Sequence, residues 1–158
     1  MIFVTVGTQL AFDRLVDAVD GWAAGHEERV VAQTGPSGAA GRWPHVEATS
    51  RMPPKDFEAN FSNARVVVGH AGIGTILSAQ RFGKPLVILP RRQALGEHRN
   101  DHQMATAREV SRLRGIHIAW NAGDIPALLA QDLAGAETDG GEDRAQLISA
   151  IRSFIADA

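Results

Sequence analysis

The sequence predicts an α/β domain with a Rossmann-like parallel sheet and helices on both of its faces. Two observations predict this class. Short β-branched runs alternate with amphipathic stretches along the chain, and the runs over residues 65–69 and 86–89 are apolar at nearly every position. Strands of this composition are typical of parallel sheets that are buried on both faces. Alternating strands and helices favour crossover connections, which join parallel neighbours.

Three strands and two helices are predicted in the first half of the chain. Residues 2–6 are β-branched and aromatic and stop at a glycine, which indicates a strand and its turn. Apolar side chains from Leu10 to Trp22 recur at three- and four-residue spacing, so a helix is predicted that ends near residues 21–25. Residues 53–62 are predicted to form a helix, because their prolines come at the start, where a helix tolerates a missing N–H. The other predictions are strands at 29–33 and 46–49, with a loop at 35–44.

In the second half, residues 65–69 and 86–89 are predicted as buried strands. The helix predicted between them, over 75–82, is closed by Gly83 and Pro85, which are residues typical of helix ends. The remaining predictions are a helix at about 98–113, a strand at 116–120, a helix at about 124–133, a loop at 134–143 and a closing amphipathic helix at 144–156.

Composition limits the possible functions. The 158 residues fit one domain, 1–158. A formal charge of −2 gives no basic surface for nucleic acid, and the absence of cysteine excludes disulfides and thiol nucleophiles. No apolar stretch reaches the about 20 residues of a membrane span, and residues 1–7 lack the basic start of a secretory signal. We therefore expect a cytoplasmic protein.

The segment Gly69-His-Ala-Gly-Ile-Gly-Thr75 lies where ligands of such sheets bind, at the carboxyl end of a strand. Its glycines allow the backbone to approach a ligand, and the first turn of the following helix attracts an anion. His70 and Thr75 add an imidazole and a hydroxyl. The alternative is that the glycines serve only a tight strand–helix turn. Gly7, Thr8 and Gln9 form a second small-residue turn at the same edge, with the same two interpretations.

This segment does not match the dinucleotide or ATP fingerprints. G-x-G-x-x-G would need a glycine at Leu77, and the second predicted strand ends in Gln33 rather than an acidic residue. Gly83-Lys84 is followed by Pro85, where the Walker pattern has Ser or Thr. Dinucleotide cofactors and ATP cleavage are therefore disfavoured.

Residues 91–103 form the densest polar cluster of the chain. The positive charges of Arg91, Arg92 and Arg99 favour a phosphate or a carboxylate, and adjacent arginines suit bidentate recognition. The alternative is an ordinary solvated, charged surface.

A metal site is a further interpretation of the same cluster. His98 and His102, four residues apart, are expected on one face of the predicted helix, where Asp101 and His70 could complete a ligand set. The three arginines argue against a metal site, because their positive charges repel a cation.

The segments 70–75, 83–90 and 102–103 resemble the C-terminal half of the family 28 glycosyltransferases, and residues 1–9 resemble the start of its stand-alone members. Those members include the catalytic subunit of the two-part N-acetylglucosaminyltransferase of the dolichol pathway. They also include bacterial exopolysaccharide subunits, several of them glucuronosyltransferases, to which residues 91–103 are similar. The resemblance implies the C-terminal half of a GT-B fold and an inverting hexosyltransferase that uses a UDP-sugar. It implies no metal and no cofactor apart from this donor substrate.

The resemblance also implies roles for individual residues. Backbone and hydroxyl donors at the start of the glycine-rich helix would bind the diphosphate, and His102 and Gln103 would face the sugar. The residues predicted to bind the donor are Gly7, Thr8, Gln9, His70, Gly72, Ile73, Gly74, Thr75, Arg91, Arg92, His98, Asn100, His102 and Gln103. The residues predicted to take part in catalysis are His70, Asp101 and His102. Arg91 and Arg92 would bind the carboxylate of a glucuronate donor.

One position departs from the family pattern, since many relatives have a ribose-binding Glu where this chain has Ser78. Because the resemblance covers only a donor-binding half, we expect a second, membrane-associated subunit that binds a polyprenyl-linked acceptor. The chain would then be peripheral to the inner membrane through that partner. Alternatives from other classes are a non-catalytic nucleotide-sugar-binding regulatory subunit, a zinc hydrolase built on His70, His98 and His102, and a plain interaction module.

Overall fold

Six strands form one parallel sheet in the computed structural model, which describes residues 1–37, 41–137, 145, 147–149 and 151–152. Their order across the sheet is β3-β2-β1-β4-β5-β6, and every pairing between them is parallel. The predicted Rossmann-like sheet is confirmed. The strands are β1 Ile2–Thr5, β2 Val30–Gln33, β3 Glu47–Thr49, β4 Val66–Gly69, β5 Leu86–Ile88 and β6 Ile116–Ile118.

The strand order places a crevice between β1 and β4. In the register of the sheet, Phe3 of β1 pairs with Val31 on one side and with Val67 on the other. From β1 the chain runs outward through β2 and β3, then returns to the other side of β1 and continues outward through β5 and β6. At such a reversal the two connecting loops diverge, which leaves room for a ligand at the carboxyl ends of the strands.

Helices cover both faces of the sheet, as predicted. Because successive residues of β1 point to opposite faces, Val4 packs with α1 and α5, whereas Phe3 packs with α2, α3 and α4. The ring of Phe3 makes edge-to-face contacts with Phe57 and Phe61 of α2, at centroid distances of 5.4 and 6.0 Å. The helices are α1 Asp13–Ala23, α2 Pro54–Asn63, α3 Ile73–Phe82, α4 His102–Val110 and α5 Ile125–Leu129.

One departure from the predicted elements is the start of α4. The prediction of a helix from about residue 98 is wrong, since α4 begins at His102 and residues 98–101 form turns. Two local hydrogen bonds stabilise these turns. The His102 N–H donates to Oδ1 of Asn100 (3.1 Å), and the Gln93 N–H donates to Oδ1 of Asp101 (2.9 Å). Such side-chain acceptors compete with helix formation.

Other boundaries also differ from the predicted ones. Helix α3 begins two residues earlier than predicted, and α5 ends at Leu129 rather than near residue 133. Of the predicted closing helix, residues 145, 147–149 and 151–152 are helical, and the rest lies outside the described residues, as do residues 138–143 of the preceding predicted loop. None of the helices in the described part of the chain has both the length and the apolar character that crossing a bilayer requires.

Candidate functional site

Three loops meet at the carboxyl edge of the sheet. The β1–α1 loop (residues 6–12), the β4–α3 loop (70–72) and the β5–α4 loop (89–101) lie next to one another because β1, β4 and β5 are adjacent strands. They surround an inner pocket of about 260 Å³ and an outer pocket of about 630 Å³. Both pockets are lined by Gln9, Leu10 and His98, so we describe them together as the cleft.

His70 lies between two glycines at the inner end of the cleft. A Cβ atom on Gly72 would lie 2.3 Å from Nε2 of His70, so only glycine leaves room for the imidazole there. Gly7, on the other side of the ring, has a φ of +76°, which glycine adopts without strain. The imidazole atom Nδ1 is buried and has no hydrogen-bond partner among the described residues. The sequence correctly placed His70 beside the glycine-rich turn, but it did not indicate that the glycines accommodate its ring.

The surroundings of His70 keep its imidazole neutral. Burial lowers its pKa from 6.5 to about 4, and the nearby charge of Arg91 acts in the same direction, although the carbonyl of Thr5 opposes both. At neutral pH the ring therefore offers hydrogen bonds but no positive charge.

The first turn of α3 leaves backbone donors without side-chain acceptors. Its N-cap residue is Gly72, and no side chain caps the helix. A Cβ atom on Gly74 would meet nothing within 4 Å, whereas Thr75 is 7% exposed, and its methyl group lies 3.1 Å from the position of a Cβ on Gly69. This helix end therefore combines unpaired N–H groups with open space in front of Gly74, an arrangement that suits an anion.

Arg91 lines the inner pocket, and its guanidinium binds the β1–α1 loop. Its guanidinium donates to the carbonyls of Val6 (2.6 Å), Leu10 (3.0 Å) and Ala11 (2.7 Å). Burial lowers the pKa of the guanidinium to about 10, which leaves it charged at neutral pH. The guanidinium also stacks over the ring of Phe12, 4.8 Å from its centroid.

Arg92 points to a different part of the molecule. It donates to the carbonyl of Trp120 and to Oδ1 of Asn121. The prediction that Arg91 and Arg92 act together on a carboxylate is therefore wrong, because their guanidiniums bind two separate segments of backbone.

Gln103 joins two of the three loops. Its Oε1 accepts hydrogen bonds from the backbone N–H of Ala71 (3.2 Å) and from that of Arg91 (3.1 Å). The sequence predicted that this side chain would face sugar hydroxyls, but its amide oxygen is already occupied by the protein. Its amide nitrogen remains a possible donor, because Gln103 also lines the inner pocket.

An ion pair that the sequence did not predict lies at the outer pocket, which Glu97 lines. Arg14 of α1 donates through two nitrogens to Glu97, at 2.5 and 2.9 Å, and the same carboxylate accepts the N–H of Arg92 (2.9 Å). Arg14 is a charged residue of the amphipathic helix α1, and no local signal in the sequence marks this contact. A second missed residue is Gly35, where a Cβ atom would lie 2.7 Å from the carbonyl oxygen of Gly7.

The remaining polar residues of the β5–α4 segment do not form the arrangement predicted for a metal. His98 and His102 both line the outer pocket, but His98 lies in a turn and not on the helix that His102 begins. Asn100 and Asp101 use side-chain oxygens to hold backbone N–H groups of the same segment. Among the described residues, no group of three or more His, Asp or Glu side chains could hold a metal ion.

Comparisons with known proteins agree with this architecture. Residues 1–122 match the family model described as "Glycosyltransferase family 28 C-terminal domain". A search of curated proteins gave no match.

Three solved structures illustrate the similarity of fold. They are the glycotransferase of kitacinnamycin (17% identity, TM-score 0.60), ALG13 (18%, 0.63) and the MurG of Acinetobacter baumannii (16%, 0.57). The matches cover 98%, 95% and 96% of this chain, and 39%, 96% and 44% of those chains, respectively. The chain thus spans about two fifths of the length of the first and third. At these identities the likeness concerns the fold, which is that of the C-terminal half of GT-B glycosyltransferases.

Proposed function

The chain belongs to the family of glycosyltransferase family 28 C-terminal domains, and from this premise we propose that its cleft binds the nucleotide-sugar donor of a sugar transferase. One observation carries the proposal. Unpaired backbone N–H groups of the β1–α1 loop line the inner pocket beside the imidazole of His70, and the uncapped first turn of α3 begins at Gly72, which lies against the same imidazole. Such a set of donors is complementary to a diphosphate.

In this proposal the diphosphate of UDP lies between α3 and the β1–α1 loop. Cleavage of the bond between the sugar and the diphosphate leaves additional negative charge on the β-phosphate. Donors that are already in place stabilise that charge without reorganising, and each supplies about 3 kcal/mol when it acts as an oxyanion-hole donor does. His70 contributes a hydrogen bond as a neutral ring.

The sugar would occupy the outer pocket. Because Arg91 and Arg92 are held by backbone carbonyls, the exposed Arg99 replaces them in our proposal as the group that binds the carboxylate of a glucuronate donor. Arg99→Ala is then expected to weaken UDP-glucuronate several-fold more than UDP-glucose, measured by competition against a labelled UDP. An equal effect on the two donors would contradict the assignment of a uronate.

We propose inversion at the anomeric carbon, which requires a base to take the proton of the acceptor hydroxyl. Asp101 is a weak choice within the chain, because its carboxylate accepts the N–H of Gln93. His102 lines the outer pocket and is the better placed of the two. Our preferred location for the base is a second, membrane-associated subunit that binds a polyprenyl-linked acceptor, as in exopolysaccharide synthesis at the cytoplasmic face of the inner membrane. A regulatory subunit that binds nucleotide sugar without transferring it is the alternative.

A single methyl group tests the location of the diphosphate. In Gly74→Ala the new Cβ meets no protein atom within 4 Å, and replacing a helical glycine by alanine stabilises a helix by up to about 1 kcal/mol. The methyl group would nevertheless occupy space in front of the first turn of α3. We therefore expect Gly74→Ala to raise the free energy of unfolding and to weaken UDP binding about tenfold, measured by calorimetry.

Gly21→Ala is the matched control, since Gly21 lies within α1, does not line the cleft, and likewise has no atom within 4 Å of where a methyl group would lie. It should give the same gain in stability with unchanged UDP affinity. If Gly74→Ala binds UDP as tightly as the parent protein, the diphosphate does not lie at this helix end.

A further inference from the structure

Arg91 has an unusual environment for a buried charge. The residue is 2% exposed, and no carboxylate of the described residues forms an ion pair with it. Its hydrogen-bond partners are the three carbonyls of Val6, Leu10 and Ala11, which stand at the two ends of the β1–α1 loop. A buried guanidinium needs such acceptors, because an unpaired charge away from water is costly.

These bonds leave the loop with donors in excess of acceptors. Val6 and Leu10 give their carbonyl oxygens to Arg91, whereas the backbone N–H groups of residues 8–11 have no hydrogen-bond partner within the described part of the chain. The neighbouring N–H groups are held by the protein, since Gly7 donates to Oγ1 of Thr5 (3.4 Å) and Phe12 donates to Oγ of Ser37 (2.9 Å). Of the free donors, those of residues 8–10 belong to residues that line the cleft.

We propose that Arg91 is a positioning residue, which holds the β1–α1 loop in the conformation whose free N–H groups bind the diphosphate of the donor. The inference rests on the proposed function for the identity of the ligand. Arg91 also lines the inner pocket, but the hydrogen bonds of its guanidinium go to carbonyls of the protein, so in this proposal it acts through the loop. Gln103 fixes the position of Arg91 in turn, through the hydrogen bond that its Oε1 accepts from the Arg91 N–H.

The test compares three variants by NMR relaxation and by titration. Arg91→Met removes the bonds and the charge, and Arg91→Lys keeps the charge but cannot reproduce the planar set of donors. Arg65→Met is the control, because Arg65 binds Glu28 and the carbonyl of Leu129 at the opposite edge of the sheet. Backbone order parameters of residues 8–11 are measured without ligand, and each variant is then titrated with UDP and with uridine.

We expect order parameters near 0.85 in the parent protein and in Arg65→Met, and values below about 0.6 in Arg91→Met. UDP affinity should fall about tenfold or more in Arg91→Met and less in Arg91→Lys, whereas uridine, which has no phosphate, should bind all variants alike. A general loss of stability would not separate UDP from uridine in this way. Thermal melts identify the temperature at which every variant is folded.

A loop that stays rigid in Arg91→Met, or an unchanged UDP affinity, would overturn the proposal. If Arg91→Met does not fold, Arg91→Lys decides the matter by the same two measurements. If the parent protein binds neither UDP nor uridine, the proposed function is wrong. The order parameters then still decide whether Arg91 holds the loop.

Discussion

His70 owes its properties to the residues that surround it. Gly7 and Gly72 leave room for the imidazole, and partial removal from water lowers the pKa of the ring to about 4. A neutral imidazole at the inner end of the cleft does not repel the positive charge of Arg91. The ring can hydrogen-bond a phosphate oxygen, and an anion bound beside it should raise its pKa.

The low pKa of His70 predicts a loss of stability in acid. The unfolded chain takes up a proton at His70 near pH 6.5, whereas the folded chain does so near pH 4. The contribution of the neutral ring is therefore complete above pH 6.5 and is lost as the pH falls from 6.5 to 4, by about 3 kcal/mol at most. We expect His70→Gln to remove this part of the pH dependence.

The measurement is the free energy of unfolding in urea at pH 7, 5.5 and 4 for both proteins. Carboxylates titrate in the same range, but they do so equally in the parent protein and in His70→Gln. Parallel stability curves would show that burial does not depress the pKa of His70.

At the scale of elements, the apolar runs were sufficient to predict the sheet. Each observed strand falls within a predicted one, because strands buried on both faces leave little room for polar residues. The start of α4 could not be predicted from spacing, since it depends on oxygens of Asn100 and Asp101 that bind backbone N–H groups within the loop. Local side-chain bonds of this kind override helix periodicity.

In the loops of the candidate site, too, some features could be predicted from the sequence and others could not. The glycine-rich start of α3 was identifiable because its signal is contained in consecutive residues. The role of Arg91 was not, because its partners Val6, Leu10 and Ala11 lie 80 to 85 positions earlier in the chain. Gln103 was predicted to face sugar hydroxyls, but its side-chain oxygen accepts hydrogen bonds from the backbone of two loops. Residue types in consecutive positions predicted the glycine-rich turn beside His70, but they did not predict which side chains hold the loops.

The two edges of the sheet differ in how their polar groups are satisfied. At the amino edge, charges pair with one another: Glu28 accepts from Arg65 and from the amino group of Met1, and Arg29 pairs with Glu47. These pairs lower the pKa values of Glu28 and Glu47. Glu28 is partly buried, whereas the pair of Arg29 and Glu47 is exposed and is worth little. At the carboxyl edge, backbone donors remain without partners in the described residues. The backbone donors on which the proposed donor site depends therefore lie at the carboxyl edge.

The proposed donor cleft supplies only one of the two binding sites that a transferase needs. This predicts how the whole molecule should behave in an assay. Because the described residues offer only His102 as a plausible base, and the acceptor site is proposed on a partner, we expect the purified chain to bind UDP-sugar without transferring it. Addition of membranes from source cells that lack the gene for this chain should restore transfer to a lipid acceptor. Those membranes alone, or with Gly74→Ala in place of the parent chain, should transfer little or no sugar.

Transfer by the purified chain to a polyprenyl-linked acceptor would contradict the need for a second subunit. UDP-sugar binding with no transfer in the presence of these membranes would instead favour the regulatory alternative.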